Sequence, residues 1–123
     1  MYILLAEDHR DLRTLYTFVL NDAGHEVTAV EDGEKALAEI REHRPDVVVT
    51  DIQMPNMDGF ELIKHIREEE DIADLPVIVM TAFGKEHEAL ASAFGANKTL
   101  EKPVDNALLC RAINQAFSGI KSH

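Results

Sequence analysis

Five polar side chains stand at the ends of short apolar runs. Glu7 and Asp8 follow Tyr2 to Ala6, Asp51 follows Asp46 to Thr50, Thr81 closes Pro76 to Thr81, and Lys102 follows the weaker run Lys98 to Glu101. Two adjacent carboxylates, a third carboxylate, a hydroxyl and an ammonium are the parts of a site that handles phosphate beside a hard cation. Three carboxylates held ~4–5 Å apart repel by roughly 3–4 kcal/mol per pair at an effective dielectric of ~20, so a positive charge must accompany them. Mg²⁺ meets that need: it takes one or two carboxylates, keeps waters and binds a phosphate oxygen. A lysine ammonium adds a mobile point charge suited to phosphate, and a threonine adds a hydrogen bond. Each residue alone has an ordinary explanation as a loop charge, a turn cap, a strand-end hydroxyl or a surface lysine. Their joint occurrence, each after its own apolar run, is the argument for a site.

The apolar runs read as strands and the segments between them as helices. Val47-Val48-Val49 and Val77-Ile78-Val79 are β-branched and do not alternate with polar residues, as strands buried on both faces of a parallel sheet do. Glu26 to Val30 is the second strand. Leu12, Leu15, Val19 and Leu20 fall at helical spacing, with Gly24 as the stop. Ala36, Leu37 and Ile40 form a second stripe ended by Pro45; Phe60, Leu62, Ile63 and Ile66 a third; Leu90, Ala93 and Phe94 a fourth before Gly95. Leu108, Leu109, Ala112, Ile113, Ala116 and Phe117 make the last. Five strands alternating with five helices predict a doubly wound α/β sheet. Asn97 to Glu101 carries one large apolar residue and is expected at an edge, where charge opposes aggregation. In such sheets the functional crevice lies beyond the carboxyl ends of the strands, where all five polar residues fall. Glu31, Asp32 and Gly33 follow the second strand on the same rim.

Composition narrows the function classes. The chain has 123 residues, 46% of them hydrophobic and 28% charged, enough for one domain with one core. The net charge of −11 argues against direct nucleic-acid binding, which wants a basic footprint. A lone cysteine, Cys110, makes neither an internal disulfide nor a zinc site, and is expected in packing. The longest apolar stretch, Leu75 to Phe83, is far short of the ~20 residues of a membrane span. No basic segment precedes the first apolar run, so no signal peptide is visible and a cytoplasmic location is expected.

Four motifs then carry a family resemblance. Leu4-Leu5-Ala6-Glu7-Asp8, Asp51-Ile52-Gln53-Met54-Pro55-Asn56-Met57-Asp58-Gly59, Thr81-Ala82 and Lys102-Pro103 resemble, at their proper intervals, the receiver domain of two-component response regulators, the chemotaxis regulators among them. The likeness runs from Ile3 to about Phe117. It implies one receiver domain over residues 1–123, with a core of about 2–118 and a short tail 119–123. It implies a flavodoxin-like fold with strand order 2-1-3-4-5. It implies that Asp51 takes a phosphoryl group from a histidine kinase or a histidine phosphotransfer protein. Mg²⁺, or Mn²⁺ in its place, would be held by Glu7, Asp8, Asp51 and the backbone carbonyl of Gln53. Lys102 would pair with the phosphoryl group, Thr81 would bond to it after transfer, and the Lys102-Pro103 peptide would be cis. The output would be a conformational change read by a downstream protein, or a phosphorelay. A monomer or a phosphorylation-dependent dimer through the fourth helix, fifth strand and fifth helix fits. The domain would be a stoichiometric acceptor with self-dephosphorylation, not a turnover enzyme. The sequence stops soon after the last helix, so no output domain is expected.

Departures from the family pattern bear on the output. The aromatic residue usual three positions before the lysine is Thr99 here, so change on the signalling face is expected to travel by loop movement or by Phe83. Phe83 is also expected to restrict the hydrolytic water. Glu7 stands where Asp is commoner and still reaches a metal. His9, beside the acidic pair, reads as a loop residue rather than a ligand. The acidic run Glu68 to Asp74 reads as a solvated helix end; Lys98, Arg111 and Lys121 give the C-terminal part the opposite bias.

Three other classes compete. An aspartyl-phosphate phosphatase needs a second acid two residues after the nucleophile, and position 53 is Gln. A nucleotide-binding flavodoxin-like protein needs a Gly-rich loop after the first strand, which is absent. A phosphorylation-independent interaction module need not retain Glu7, Asp8, Asp51, Thr81 and Lys102 together.

Overall fold

The computed structural model describes residues 1–82 and 84–121. The elements run β1 (Tyr2–Ala6), α1 (Arg10–Asp22), β2 (Glu26–Val30), α2 (Gly33–Glu42), β3 (Val47–Asp51), α3 (Gly59–Glu68), β4 (Val77–Thr81), α4 (Gly84–Phe94), β5 (Lys98–Glu101) and α5 (Asn106–Lys121). All neighbouring strands pair in parallel, in the order β2-β1-β3-β4-β5. This is the doubly wound sheet expected, with β5 at one edge.

Side chains alternate across each strand, so the sheet has two apolar faces and needs two covers. Leu4, Ala6, Val48, Val77 and Val79 pack with α2 and α3, chiefly through Leu37, Ile40, Leu62, Ile63 and Ile66. Ile3, Leu5, Val49, Ile78, Met80 and Leu100 pack with α1 and α5 through Tyr16, Leu20, Leu109 and Ile113. Burying each such Val, Leu or Ile contributes roughly 1.5–3 kcal/mol over leaving it exposed. Cys110 packs at the margin of the second cluster.

Three helical faces differ from expectation. In α1, Leu15 is 48% exposed and Tyr16 is buried, because the helix turns its inward stripe by one position. In α4, Leu90 and Phe94 are only partly buried and Ala91 alone is fully buried. In α5, Leu108 is likewise exposed. Strand β3 begins one residue later than the apolar run and includes Asp51. Asp46 instead turns its carboxylate to the Tyr2 backbone N–H at 2.7 Å.

Gly24 and Gly95 both have positive φ, 95° and 113°, and end α1 and α4 as the sequence predicts. Arg67 joins two loops at the amino end of the sheet. Its guanidinium donates to the carbonyls of Ala73, Leu75 and Gly95 and to Asn97 Oδ1. No described helix is long and apolar enough to cross a membrane.

Candidate functional site

The carboxyl ends of β1, β3, β4 and β5 form one rim, and the five sequence-predicted side chains stand on it. Asp51 is the last residue of β3. Its Oδ1 accepts from the Ile52 N–H at 2.7 Å and its Oδ2 from Lys102 Nζ at 2.8 Å. Glu7 directly follows β1 and is fully buried. Its Oε1 accepts from Lys102 Nζ at 2.6 Å and its Oε2 from the His9 N–H at 3.1 Å. Asp8 is exposed, and one oxygen from each of Glu7, Asp8 and Asp51 lies within 4.8 Å of the others. An all-oxygen set of three carboxylates fits a hard divalent cation.

Lys102 supplies the positive charge that this cluster requires. Its backbone N–H donates to the Thr81 carbonyl at 2.8 Å, and the Lys102-Pro103 peptide is cis. Burial alone would lower the ammonium's pKa, but hydrogen bonds to Asp51 and Glu7 outweigh it and hold the pKa above the ordinary lysine value. Glu7 moves the same way for a different reason. Burial pushes its carboxyl up, the Lys102 hydrogen bond pulls it back, the Asp51 charge adds to the rise, and the net is upward. The ammonium is thus firmly protonated, while one of its two acidic partners is held there at a cost.

The loop after Asp51 explains why its motif has these residues. Asp58 caps α3: its Oδ1 accepts from the Glu61 N–H at 2.9 Å, and Glu61 reaches back to the Asp58 N–H. The Gly59 N–H donates to the Ile52 carbonyl at 2.7 Å. A Cβ on Gly59 would stand 2.4 Å from the Asp51 carbonyl oxygen, so only glycine lets α3 start against the end of β3. Asn56 adopts φ 67° and donates from Nδ2 to Asp32 Oδ2 at 3.0 Å. Asp32 in turn caps α2 by accepting from the Lys35 N–H at 2.8 Å. So Asp32, on the rim by sequence, is a buried structural cap outside the acidic cluster. Gln53 lies exposed in the same loop.

Other side chains frame the site. Arg13 of α1 donates to the carbonyls of Glu7 and Asp8 at 2.9 and 3.3 Å, a contact no sequence motif signals. His9 is the N-cap of α1, its ring accepting from the Leu12 N–H. Thr81 is buried, with its Oγ1 3.2 Å from Nδ1 of His87 on α4, a partner the sequence did not reveal. Phe83 lies outside the described residues. Along the acidic run, Glu69 and Asp74 pair with Arg41 and Arg44. Lys98 and Arg111 are exposed.

A doubly wound parallel sheet that presents an acidic triad tied to a lysine at its carboxyl rim defines the class of aspartate-centred receivers. The sequence matches the response regulator receiver domain over residues 3–114. The chain belongs to that family. It is 32% identical over 118 residues to protein PilH of Pseudomonas aeruginosa, covering 95% of this chain and 98% of PilH. It is 34% identical over 119 residues to chemotaxis protein CheY-3 of Vibrio cholerae, covering 95% and 92%. Among solved structures, the chemotaxis response regulator CheY4 of Vibrio cholerae superposes with a TM-score of 0.88 at 31% identity, covering 94% of this chain and 97% of that one.

Proposed function

We propose that the domain accepts a phosphoryl group on Asp51 from a phosphohistidine donor, in a reaction that depends on Mg²⁺. The observation that carries this reading is the Lys102 ammonium bridging Glu7 and Asp51 beside Asp8. Glu7, Asp8, Asp51 and the backbone carbonyl of Gln53 would hold the metal; Mn²⁺ suits the same oxygen donors. When bound, the cation supplies charge neutralisation for the incoming phosphoryl oxygens.

The chain's own residues do the rest. Asp51, at the strand end, is fixed through Oδ1 by the Ile52 N–H, so its other oxygen is oriented. That carboxylate forms the new O–P bond as the P–N bond to the donor imidazole breaks. The imidazole leaves with the electron pair and takes up a proton. Lys102 would pass from Asp51 Oδ2 to a phosphoryl oxygen, a point charge suited to phosphate. The Thr81 hydroxyl donates to another phosphoryl oxygen. Such transfer asks little of a protein beyond alignment and charge stabilisation.

The domain is a stoichiometric acceptor that can dephosphorylate itself, not a turnover enzyme. Its partners are a histidine kinase or a histidine phosphotransfer protein upstream and a protein downstream, and a cytoplasmic location belongs to the same reading. Similarity to PilH and CheY-3 over nearly their whole lengths supports signalling by protein contact or phosphorelay. Phosphoramidate, whose P–N bond imitates phosphohistidine, tests the donor chemistry. With Mg²⁺ the protein should consume it and gain a base-labile acyl phosphate; a phosphorylated protein resistant to base would contradict carboxylate acceptance.

A further inference from the structure

The imidazole of His87 touches the Thr81 hydroxyl on one side and an aromatic ring on the other. Thr81 Oγ1 and His87 Nδ1 are in hydrogen-bond contact at 3.2 Å, either group donating according to the imidazole tautomer. The same ring stands edge-on to Phe60 of α3, centroids 5.6 Å apart at 77°. Phe60 also packs on Phe94, 5.5 Å away at 30°. His87 and Phe94 lie seven residues apart, so they share one face of α4 and grip Phe60 between them.

Among the described residues, helix α4 buries few side chains. Ala91 is its one fully buried residue, and Leu90 and Phe94 are 47% and 38% exposed. An element with so few buried apolar contacts sits at the low-stability end of a fold, where one hydrogen bond is a sizeable share of its attachment. A cavity of about 270 Å³ lies between α4 and β5, lined by Thr81, Lys85, Glu88, Thr99 and Glu101. The small Thr99 leaves room there for the helix to move.

We propose that His87 is a positioning residue that couples Asp51 to helix α4 through the Thr81 hydroxyl. The proposal rests on phosphoryl acceptance at Asp51. In the unphosphorylated domain His87 engages the hydroxyl. When a phosphoryl oxygen on Asp51 recruits that hydroxyl, His87 loses it and α4 loses a tether. The signal thus leaves the site through an imidazole on α4 and needs no large ring at position 99.

The test uses the full chain, Mg²⁺ and acetyl phosphate, with intact mass run beside nitrogen-15 spectra of the histidine rings at fixed pH. Asp51 forms an O–P bond as the acetyl O–P bond breaks, and acetate leaves with the electron pair. In wild type, mass gain of one phosphoryl group should coincide with a changed His87 Nδ1 shift and faster amide exchange across α4. His87→Phe keeps a ring for Phe60 but has no nitrogen for Thr81. It should take the phosphoryl group roughly 2- to 10-fold faster, the span set by one hydrogen bond of ordinary net strength. Its α4 exchange should be the same with and without the phosphoryl group. His87→Asn places a polar atom near the Nδ1 position and should bring the rate back toward wild type. A phosphorylated wild type whose His87 shift is unchanged overturns the proposal and leaves acceptance at Asp51 intact. Equal phosphorylation rates in wild type and His87→Phe do the same. A wild type that gains no phosphoryl group overturns both.

Discussion

Lys102 Nζ lies 2.8 Å from Asp51 Oδ2, although Lys102 follows β5, Asp51 ends β3, and β4 runs between them. Neighbouring strands are ~4.8 Å apart, so the two side chains and the hydrogen bond between them bridge roughly 10 Å of sheet. The same ammonium also meets Glu7, beyond β1. One flexible cation therefore ties the ends of three strands and occupies carboxylate oxygens that a metal would use.

Competition between Lys102 and the metal is the first consequence. Lys102→Met removes the cation and leaves Glu7 and Asp51 facing each other. We expect the variant to lose about 3–5 kcal/mol in metal-free buffer, since half of a buried ion pair is left behind. Added Mg²⁺ should stabilise the variant more than it stabilises wild type. Urea denaturation with and without Mg²⁺ measures both; an equal Mg²⁺ increment in the two proteins would refute the competition.

The Asp32 cap sets a pH dependence away from the acidic cluster. The Lys35 N–H first, and Asn56 with it, hold the Asp32 carboxyl below the ordinary aspartate value. A depressed folded pKa contributes stability that is present above the unfolded value and is lost as pH falls through the folded one. Asp32→Ala should therefore cost about 1 kcal/mol at neutral pH. The gap between variant and wild type should narrow as the medium becomes more acidic than the ordinary aspartate pKa. A gap that stays constant down to the acid transition would contradict the charged cap.

Gly59 couples packing to the acceptor. A methyl group there would meet the Asp51 carbonyl oxygen at 2.4 Å and Ile52 Cα at 2.8 Å, both backbone. Overpacking of this kind costs about 1–3 kcal/mol. Because the clash falls on the acceptor residue itself, Gly59→Ala should also slow phosphorylation of the folded fraction. Urea melts and mass-detected phosphorylation rates check the two effects; a variant with wild-type rates would mean that α3 yields rather than β3.

Much of the fold could be read from the sequence because its signals are local. Three valines in a row at Val47 and the edge character of Lys98 to Glu101 each follow from burial in a sheet with two covered faces. The candidate site was legible for the same reason: its residues lie at the ends of β1, β3, β4 and β5, and parallel strands deliver their ends to one rim. What was not legible depends on distant partners. Leu15 and Tyr16 are neighbours in the pattern, and it is the packing of α1 on the assembled sheet layer that turns Tyr16 inward. The stripe Leu90, Ala93 and Phe94 has helical spacing, yet α4 packs through Ala91 and the sides of Phe94 and His87.

Arg67 is the clearest residue of that hidden kind. It looks like one more charge at the end of α3, yet its guanidinium satisfies the carbonyls of Ala73, Leu75 and Gly95, and burial pulls its pKa below the ordinary arginine value. Arg67→Met should keep the stem's packing and lose about 2 kcal/mol, because hydrogen bonds from a charged donor are among the stronger ones. A loss indistinguishable from zero in urea denaturation would mean that water replaces the guanidinium at those carbonyls.

The central claim is that Asp51 is the acceptor of a metal-dependent phosphoryl transfer. Intact-mass spectrometry after incubation with acetyl phosphate, with and without Mg²⁺, on wild type and Asp51→Asn, tests it most directly. Wild type should gain one phosphoryl group, only with the metal, and the variant none. A folded wild type that gains nothing at any Mg²⁺ concentration, or an Asp51→Asn protein that gains the group as readily, would contradict it.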